Sequence, residues 1–136
     1  MSKYKTCKAK CQYCGDTFLY SKHSSQGKYC SNKCQGMKRS EERTKRNVKL
    51  LKEGRLKDNN RLAIKKALIA YGREQECSIC GIVDWQGKPL PFILDHIDGN
   101  ANNNVIENLR LVCSNCDSQL DTYKKKNKQG RNTRKL

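Results

Sequence analysis

The sequence predicts a small, zinc-stabilised α+β fold, and three observations predict it. Nine cysteines lie within 136 residues, and three pairs (Cys11/Cys14, Cys77/Cys80 and Cys113/Cys116) have the Cys-x-x-Cys spacing. Only 35% of residues are hydrophobic and mean hydropathy is -0.94. A chain this polar cannot bury a large apolar core, so something else must hold its parts together. Between the last two cysteine pairs, signals for strand, loop, strand and helix follow one another in a short stretch. Cysteines at this density mean disulfides or metal. Met1 to Cys11 carries lysines without an apolar stretch, so no secretory signal is expected. The longest apolar run, around Pro89 to Leu94, is too short to span a membrane. The expected compartment is therefore reducing and cytoplasmic, where paired cysteines favour zinc.

Charge is the second constraint. The chain carries a net +16, distributed unevenly. Residues 1–37 hold seven basic and one acidic residue, 38–70 twelve and four, and 124–136 seven and none. Residues 77–123 reverse the balance, with two basic and six acidic. Basic flanks around an acidic centre suit a protein whose arms grip a polyanion while its middle gathers carboxylates around a cation. A solvated lysine tail needs no ligand, but three basic segments around one acidic centre favour nucleic acid.

Residues 1–37 are expected to form an N-terminal zinc-binding module. Cys11-Gln-Tyr-Cys14-Gly15 has the form of a zinc knuckle, in which glycine permits the tight turn around the metal. Cys11, Cys14, Cys30 and Cys34 are its expected ligands, with Cys7 left over and His23 as a fallback. Cys77-Ser-Ile-Cys80-Gly81 repeats the knuckle, and a later cysteine pair again opens a helix, a weak internal repeat of treble-clef type. Residues 38–72 are expected to be a basic helical connector. Ser31 can cap its first helix, which runs towards Leu51 and is interrupted around Gly54 and Asp58-Asn59-Asn60. A second helix is predicted from about Asn60 to Tyr71, stopped by Gly72. Such a connector is either a solvated linker or an arm tracking a phosphate backbone through Lys38, Arg39, Arg43, Lys45, Arg46 and Lys49.

From Pro91, the run Phe92 to Ile97 reads as a buried strand. Asp98 to Asn104 is a polar loop with strong turn signals, and Leu109 to Val112 makes a second strand. Ser114 is the expected cap of a last helix through Cys116, Asp117, Leu120 and Tyr123. Trp85 and Phe92 are expected in the small core. The tail, 125–136, is expected to be disordered, with Lys124, Lys125 and Lys126 at its start adding to the basic grip.

The motifs Cys77/Cys80, Leu94-Asp95-His96-Ile97-Asp98-Gly99-Asn100, Glu107-Asn108-Leu109-Arg110 and Cys113-Ser-Asn-Cys116-Asp117 occur in this order. Together with Asp121-Thr-Tyr123, they resemble the HNH endonucleases, in particular phage-borne and homing-type members with a four-cysteine zinc site. The resemblance covers about residues 74–127, and the expected nuclease domain is 73–124. It implies a ββα-metal, treble-clef-like domain that hydrolyses DNA phosphodiester bonds, leaving 5′-phosphate and 3′-hydroxyl ends. Structural zinc at Cys77, Cys80, Cys113 and Cys116 is then joined by Mg²⁺ or Mn²⁺ at Asp95 and Asp117. Asp95 offers the hard oxygen such ions prefer. His96 is the implied general base, since a neutral imidazole takes a proton from water near neutral pH. Asn108 would tie the polar loop to the histidine-bearing strand and orient the imidazole.

Two features strain this reading. In a regular strand Asp95 and His96 point to opposite faces, so the strand must end or bulge there. The family's third motif position is often histidine, whereas this chain has Asp117; Asp121, one helical turn on, could reach the same face. Asp117 is either a metal ligand or a helix-start carboxylate near the positive end of the dipole. The competing function is a non-catalytic, zinc-dependent nucleic-acid-binding protein with a degenerate HNH domain. One active site per chain nicks unless it dimerises or acts twice.

Overall fold

The computed structural model describes residues 5–123. Its elements are short, as expected for a polar chain with little apolar surface to cover: six strands of two to five residues and three α-helices. The chain divides into two units, Met1–Arg43 and Thr44–Leu136. The basic tail expected at 125–136, with Lys124, Lys125 and Lys126, lies outside the described residues.

In the first unit, β1 (Thr6–Lys10) and β2 (Thr17–Ser21) form an antiparallel pair with Lys10 opposite Thr17. The knuckle Cys11 to Cys14 therefore sits on the turn of a hairpin, with one strand on each side of it. Helix α1 (Asn32–Lys52) begins in this unit. Ser31 caps it, its hydroxyl accepting from the N–H of Cys34 at 3.2 Å.

The second unit holds the core, built from the two ends of its sequence. Thr44, Asn47, Val48 and Leu51 recur at helical spacing on α1, and Asn47 and Leu51 are buried. Leu56 follows, and then α2 (Arg61–Tyr71) contributes Ile64, Ala67 and Leu68. The boundaries of α2 follow the predicted signals. The side chain of Asn60 accepts from Ala63 N–H, and at the other end Gly72, at φ 120°, donates to Ile69. Strands β3 (Asp84–Trp85) and β4 (Lys88–Pro89) make a hairpin closed by Gln86-Gly87. Trp85 on it is 59% exposed, which corrects the expectation of a core position; Phe92 is buried. A two-residue strand has no second layer to cover its indole.

Strands β5 (Ile93–His96) and β6 (Leu109–Val112) pair antiparallel, Ile93 opposite Val112 and His96 opposite Leu109. Leu94, Leu109, Leu111 and Val112 join Leu51, Leu56, Ile64 and Leu68 in one cluster that also contains Cys77 and Cys113. A 3-10 turn (Ile106–Asn108) leads into β6, and α3 (Ser114–Ser118) follows. The last helix is shorter than expected, and its cap is Cys113 rather than Ser114, its sulfur accepting from Cys116 N–H.

Leu51→Ala should lower the stability of this unit by about 2–5 kcal/mol, because the vacated space is walled in on all sides. Leu62→Ala, on the 61% exposed face of α2, should change it by less than about 0.5 kcal/mol. Thermal unfolding of the zinc-loaded chain measures both, and equal effects would mean that α1 does not close the core.

Candidate active site and metal centres

The cysteines assemble into two groups of four. Cys11, Cys14, Cys30 and Cys34 form one, and Cys77, Cys80, Cys113 and Cys116 the other, with the sulfurs of each group within 4.8 Å of one another. Individual gaps are 3.6 Å for Cys14 and Cys30, 3.5 Å for Cys30 and Cys34, and 3.8 Å for Cys80 and Cys113. Tetrahedral zinc with Zn–S bonds of about 2.3 Å sets its sulfurs roughly 3.8 Å apart, whereas a disulfide needs about 2.05 Å. All nine thiols are free, and the geometry is compatible with zinc in both groups. Cys7, on β1, belongs to neither.

Both knuckles are built alike. Gly15 and Gly81 have φ of 79° and 75°, a region costly for other residues, and donate to the carbonyls of Cys11 and Cys77. The turns aim backbone N–H groups at the first sulfur. Burial opposes a Cys11 thiolate, but N–H groups of Cys14, Cys30 and Tyr13 outweigh it and lower its pKa to about 6. Cys77 is likewise lowered to about 6, against burial, by N–H groups of Cys80, Cys113 and Ile79. Cys14 is pushed up to about 12: Asp16 N–H favours its thiolate, but burial and the sulfurs of Cys11, Cys30 and Cys34 prevail. Cys116 also rises to about 12, through the Cys80 sulfur first and then burial. Four thiols sharing so small a volume cannot all ionise unless a cation neutralises them.

The β5–β6 ladder displays the Asp-His motif. Pairing is regular through His96 and β5 ends there, so Asp95 and His96 leave the ladder on opposite faces. Both are essentially inaccessible to solvent. Asp95 shares its face with its cross-strand partner Arg110, whose Nε donates to Oδ2 at 2.7 Å. On the other face, Nε2 of His96 lies 2.8 Å from Oδ1 of Asn104, which is itself buried. Nδ1 of His96 is buried and has no hydrogen-bond partner.

Asn108 braces the intervening loop. Its Oδ1 accepts from Asp98 N–H at 3.0 Å, and its Nδ2 donates to Asp98 Oδ1 and to the Asn103 carbonyl at 2.9 and 2.8 Å. It therefore joins the loop to the strand ends, while the direct partner of the imidazole is Asn104. Asp117 is half-buried on α3, a helix that packs against β5, and Asp121 is exposed in the turns beyond. Among the described residues, the groups of three or more candidate metal ligands are the two cysteine clusters, so Asp95 and Asp117 belong to no such group. Of the basic residues singled out on α1, Arg39, Arg43, Lys45, Arg46 and Lys49 are exposed and Lys38 is half-buried. Sequence reasoning missed Arg110 and Asn104. Arg110 is one of only two basic residues in 77–123, a signal that it serves a carboxylate. Asn104 stands in a run of asparagines that gave no such signal.

Residues 85–116 match the family described as HNH endonuclease, a span that holds Asp95, His96, Asn104 and Asn108 and stops one residue before Asp117. This match supports an HNH endonuclease assignment for the segment and a ββα-metal fold for it. A curated relative, the H-N-H endonuclease F-TflIV of Escherichia phage T5, is 42% identical over 55 residues, 40% of this chain and 24% of the relative. The chain thus spans about a quarter of that relative's length. No solved structure matches. Among the described residues no helix is long and apolar enough to cross a membrane.

Elemental analysis of freshly purified, folded protein should return two zinc ions per chain. Structural zinc contributes on the order of 10 kcal/mol of apparent binding energy in such modules, so its removal should unfold both units. One zinc or none in folded protein would show that a cysteine cluster holds itself together without the metal.

Proposed function

We propose that this chain is a metal-dependent HNH nuclease that hydrolyses phosphodiester bonds in DNA, with His96 as general base. The observation that carries the reading is the state of His96. Its imidazole is buried, held at one nitrogen and unpaired at the other, inside the segment that matches the HNH family. An orphaned buried nitrogen costs stability, and a water molecule positioned to lose a proton would satisfy it. Asp95 is the proposed oxygen ligand from the strand and Asp117 the one from the helix packed on that strand. Arg110 is paired with Asp95 through Nε and Oδ2, and a divalent cation bound by Asp95 would compete with that pairing. Mg²⁺ or Mn²⁺ held there would neutralise the phosphate and the leaving 3′ oxygen, giving 5′-phosphate and 3′-hydroxyl ends. Asn108 keeps the loop folded against the strand ends.

DNA affinity is assigned to the basic flanks, through phosphate contacts by Lys38, Arg39, Arg43, Lys45, Arg46 and Lys49. We further assign zinc to both cysteine clusters, a nuclease role to residues 73–124 and, by analogy with the phage relative, a site of action in the host cytoplasm. A second reading, a non-catalytic nucleic-acid-binding protein, draws on one observation. Neither of the two four-cysteine groups among the described residues contains an oxygen or nitrogen donor, so water and phosphate must complete any hard-metal shell.

Supercoiled plasmid incubated with the zinc-loaded chain, with and without added Mg²⁺, separates the two readings. Mg²⁺-dependent nicking or linearisation supports the nuclease, and binding without cleavage supports the second reading. His96→Ala should lower the cleavage rate by roughly 10²- to 10⁴-fold, the usual contribution of a positioned base, while plasmid affinity stays within about twofold because that comes from phosphate contacts. Cleavage near the wild-type rate would remove His96 as the base.

The same assay tests Asp117. Asp117→Ala should need far more Mg²⁺, and Asp117→His should gain relative activity with Ni²⁺ or Co²⁺, because imidazole suits those ions better than Mg²⁺. An unchanged Mg²⁺ requirement in Asp117→Ala would show that its carboxylate is not a ligand.

A further inference from the structure

The bond between His96 and Asn104 has a direction, and the surroundings of Asn104 set it. Nδ2 of Asn104 faces two backbone carbonyls, those of Leu56 and Asp58, each at 3.3 Å. Carbonyl oxygens only accept, so the nitrogen of the amide must point at them and the oxygen must point at the imidazole. An amide oxygen also only accepts, so Nε2 of His96 carries the proton. In a neutral ring with Nε2 protonated, Nδ1 holds the lone pair, and Nδ1 is the buried nitrogen with no partner. Both carbonyls belong to the segment between α1 and α2, about fifty residues away in sequence and outside the family match. That segment is pinned in turn: Asn47, buried on α1, donates to Asp58 Oδ2 at 2.9 Å, and Asp58 Oδ1 accepts from Asn60 N–H at 2.9 Å.

We infer that Asn104 is the positioning residue of His96, and that the connector segment around Leu56 and Asp58 locks the imidazole in the tautomer whose Nδ1 can accept a proton. The inference rests on the reading of His96 as base for its consequence, not for the tautomer itself. It assigns residues 47–60 a part in the site beyond their place in the core. An amide free to rotate would offer Nδ2 to the ring about as readily as Oδ1, and would then favour the opposite tautomer. Two carbonyls behind it remove that choice.

The chain has only two histidines, His23 and His96, so long-range ¹H–¹⁵N correlation spectra of the zinc-loaded chain can be assigned with one His23→Gln control. At a pH where the ring is neutral, His96 should show protonated Nε2 and bare Nδ1. Protonated Nδ1 in the wild type overturns the proposal whatever any variant does. Asn104→Leu, which removes the acceptor at similar volume, should give mixed tautomers. Its single-turnover cleavage of supercoiled plasmid in Mg²⁺ should slow roughly 10- to 100-fold, the range seen when a partner that orients a functional imidazole is lost, with plasmid affinity within about twofold. Asn104→Asp keeps an acceptor but loses both donors, so it should retain the wild-type tautomer while unfolding at lower temperature. A wild-type tautomer and rate in Asn104→Leu would overturn the lock. Run beside these, cleavage by His96→Ala at the wild-type rate would sink the base assignment alone, since the tautomer is read without catalysis.

Discussion

Cys77 and Cys113 are the point at which the second unit becomes one object. Both are core residues as well as candidate metal ligands. The sulfur of Cys77 accepts from Cys113 N–H at 3.3 Å, and the next residue of the knuckle, Ser78, donates to Leu111 on β6 at 2.8 Å. The knuckle is thereby clamped across the end of the β5–β6 ladder, and Cys116 draws the first turn of α3 onto the same cluster. A four-residue ladder with a five-residue helix has far too little surface to order itself. A cation shared by the four sulfurs would supply what the apolar residues cannot, and every proposed active-site residue lies between the two cysteine pairs or one position beyond them.

The carboxylate and the imidazole, adjacent at the end of β5, lie on opposite faces of the ladder and have different surroundings. On one face Asp95 is paired with Arg110, which offsets the desolvation of a fully buried charge; such a pair is better understood as holding a charge in place than as adding stability. On the other face Nε2 of the imidazole meets the amide oxygen of Asn104, whose nitrogen in turn faces the carbonyls of Leu56 and Asp58. Of the two expected alternatives, an end or a bulge, the strand takes the first: pairing is regular through His96 and β5 ends there.

The fold was legible wherever local chemistry decides it. Cysteine spacing predicted the two clusters, Asn60 and Gly72 bounded α2, and short apolar runs flanking a turn-rich loop placed β5 and β6 within a residue or so. What stayed hidden was set by partners distant in sequence. Nothing local distinguishes Leu51, deep in the core, from Leu50 beside it, or Asn104 from Asn102 and Asn103 in the same run. Trp85 looked like core because it is large and apolar, and only the absence of a covering layer leaves it exposed.

The polar loop explains why so many asparagines are concentrated here. Asp98 accepts from the Asn103 side chain, from Asn100 N–H and from Asn108, and these donors hold its carboxyl below the usual carboxylate range, Asn103 acting most strongly. A carboxyl lowered in the folded state stabilises that state above the ordinary carboxylate pKa, and the contribution fades as acid protonates it. Near neutral pH the loop is therefore fully braced. Amides are suited to this work because each is donor and acceptor at once and carries no charge that would compete for a cation or repel a phosphate. Asn108 spends both functions on the loop, whereas Asn104 spends its donors on the connector and its acceptor on His96. The difference between those two uses separates a residue that shapes the loop from one that sets the state of the imidazole.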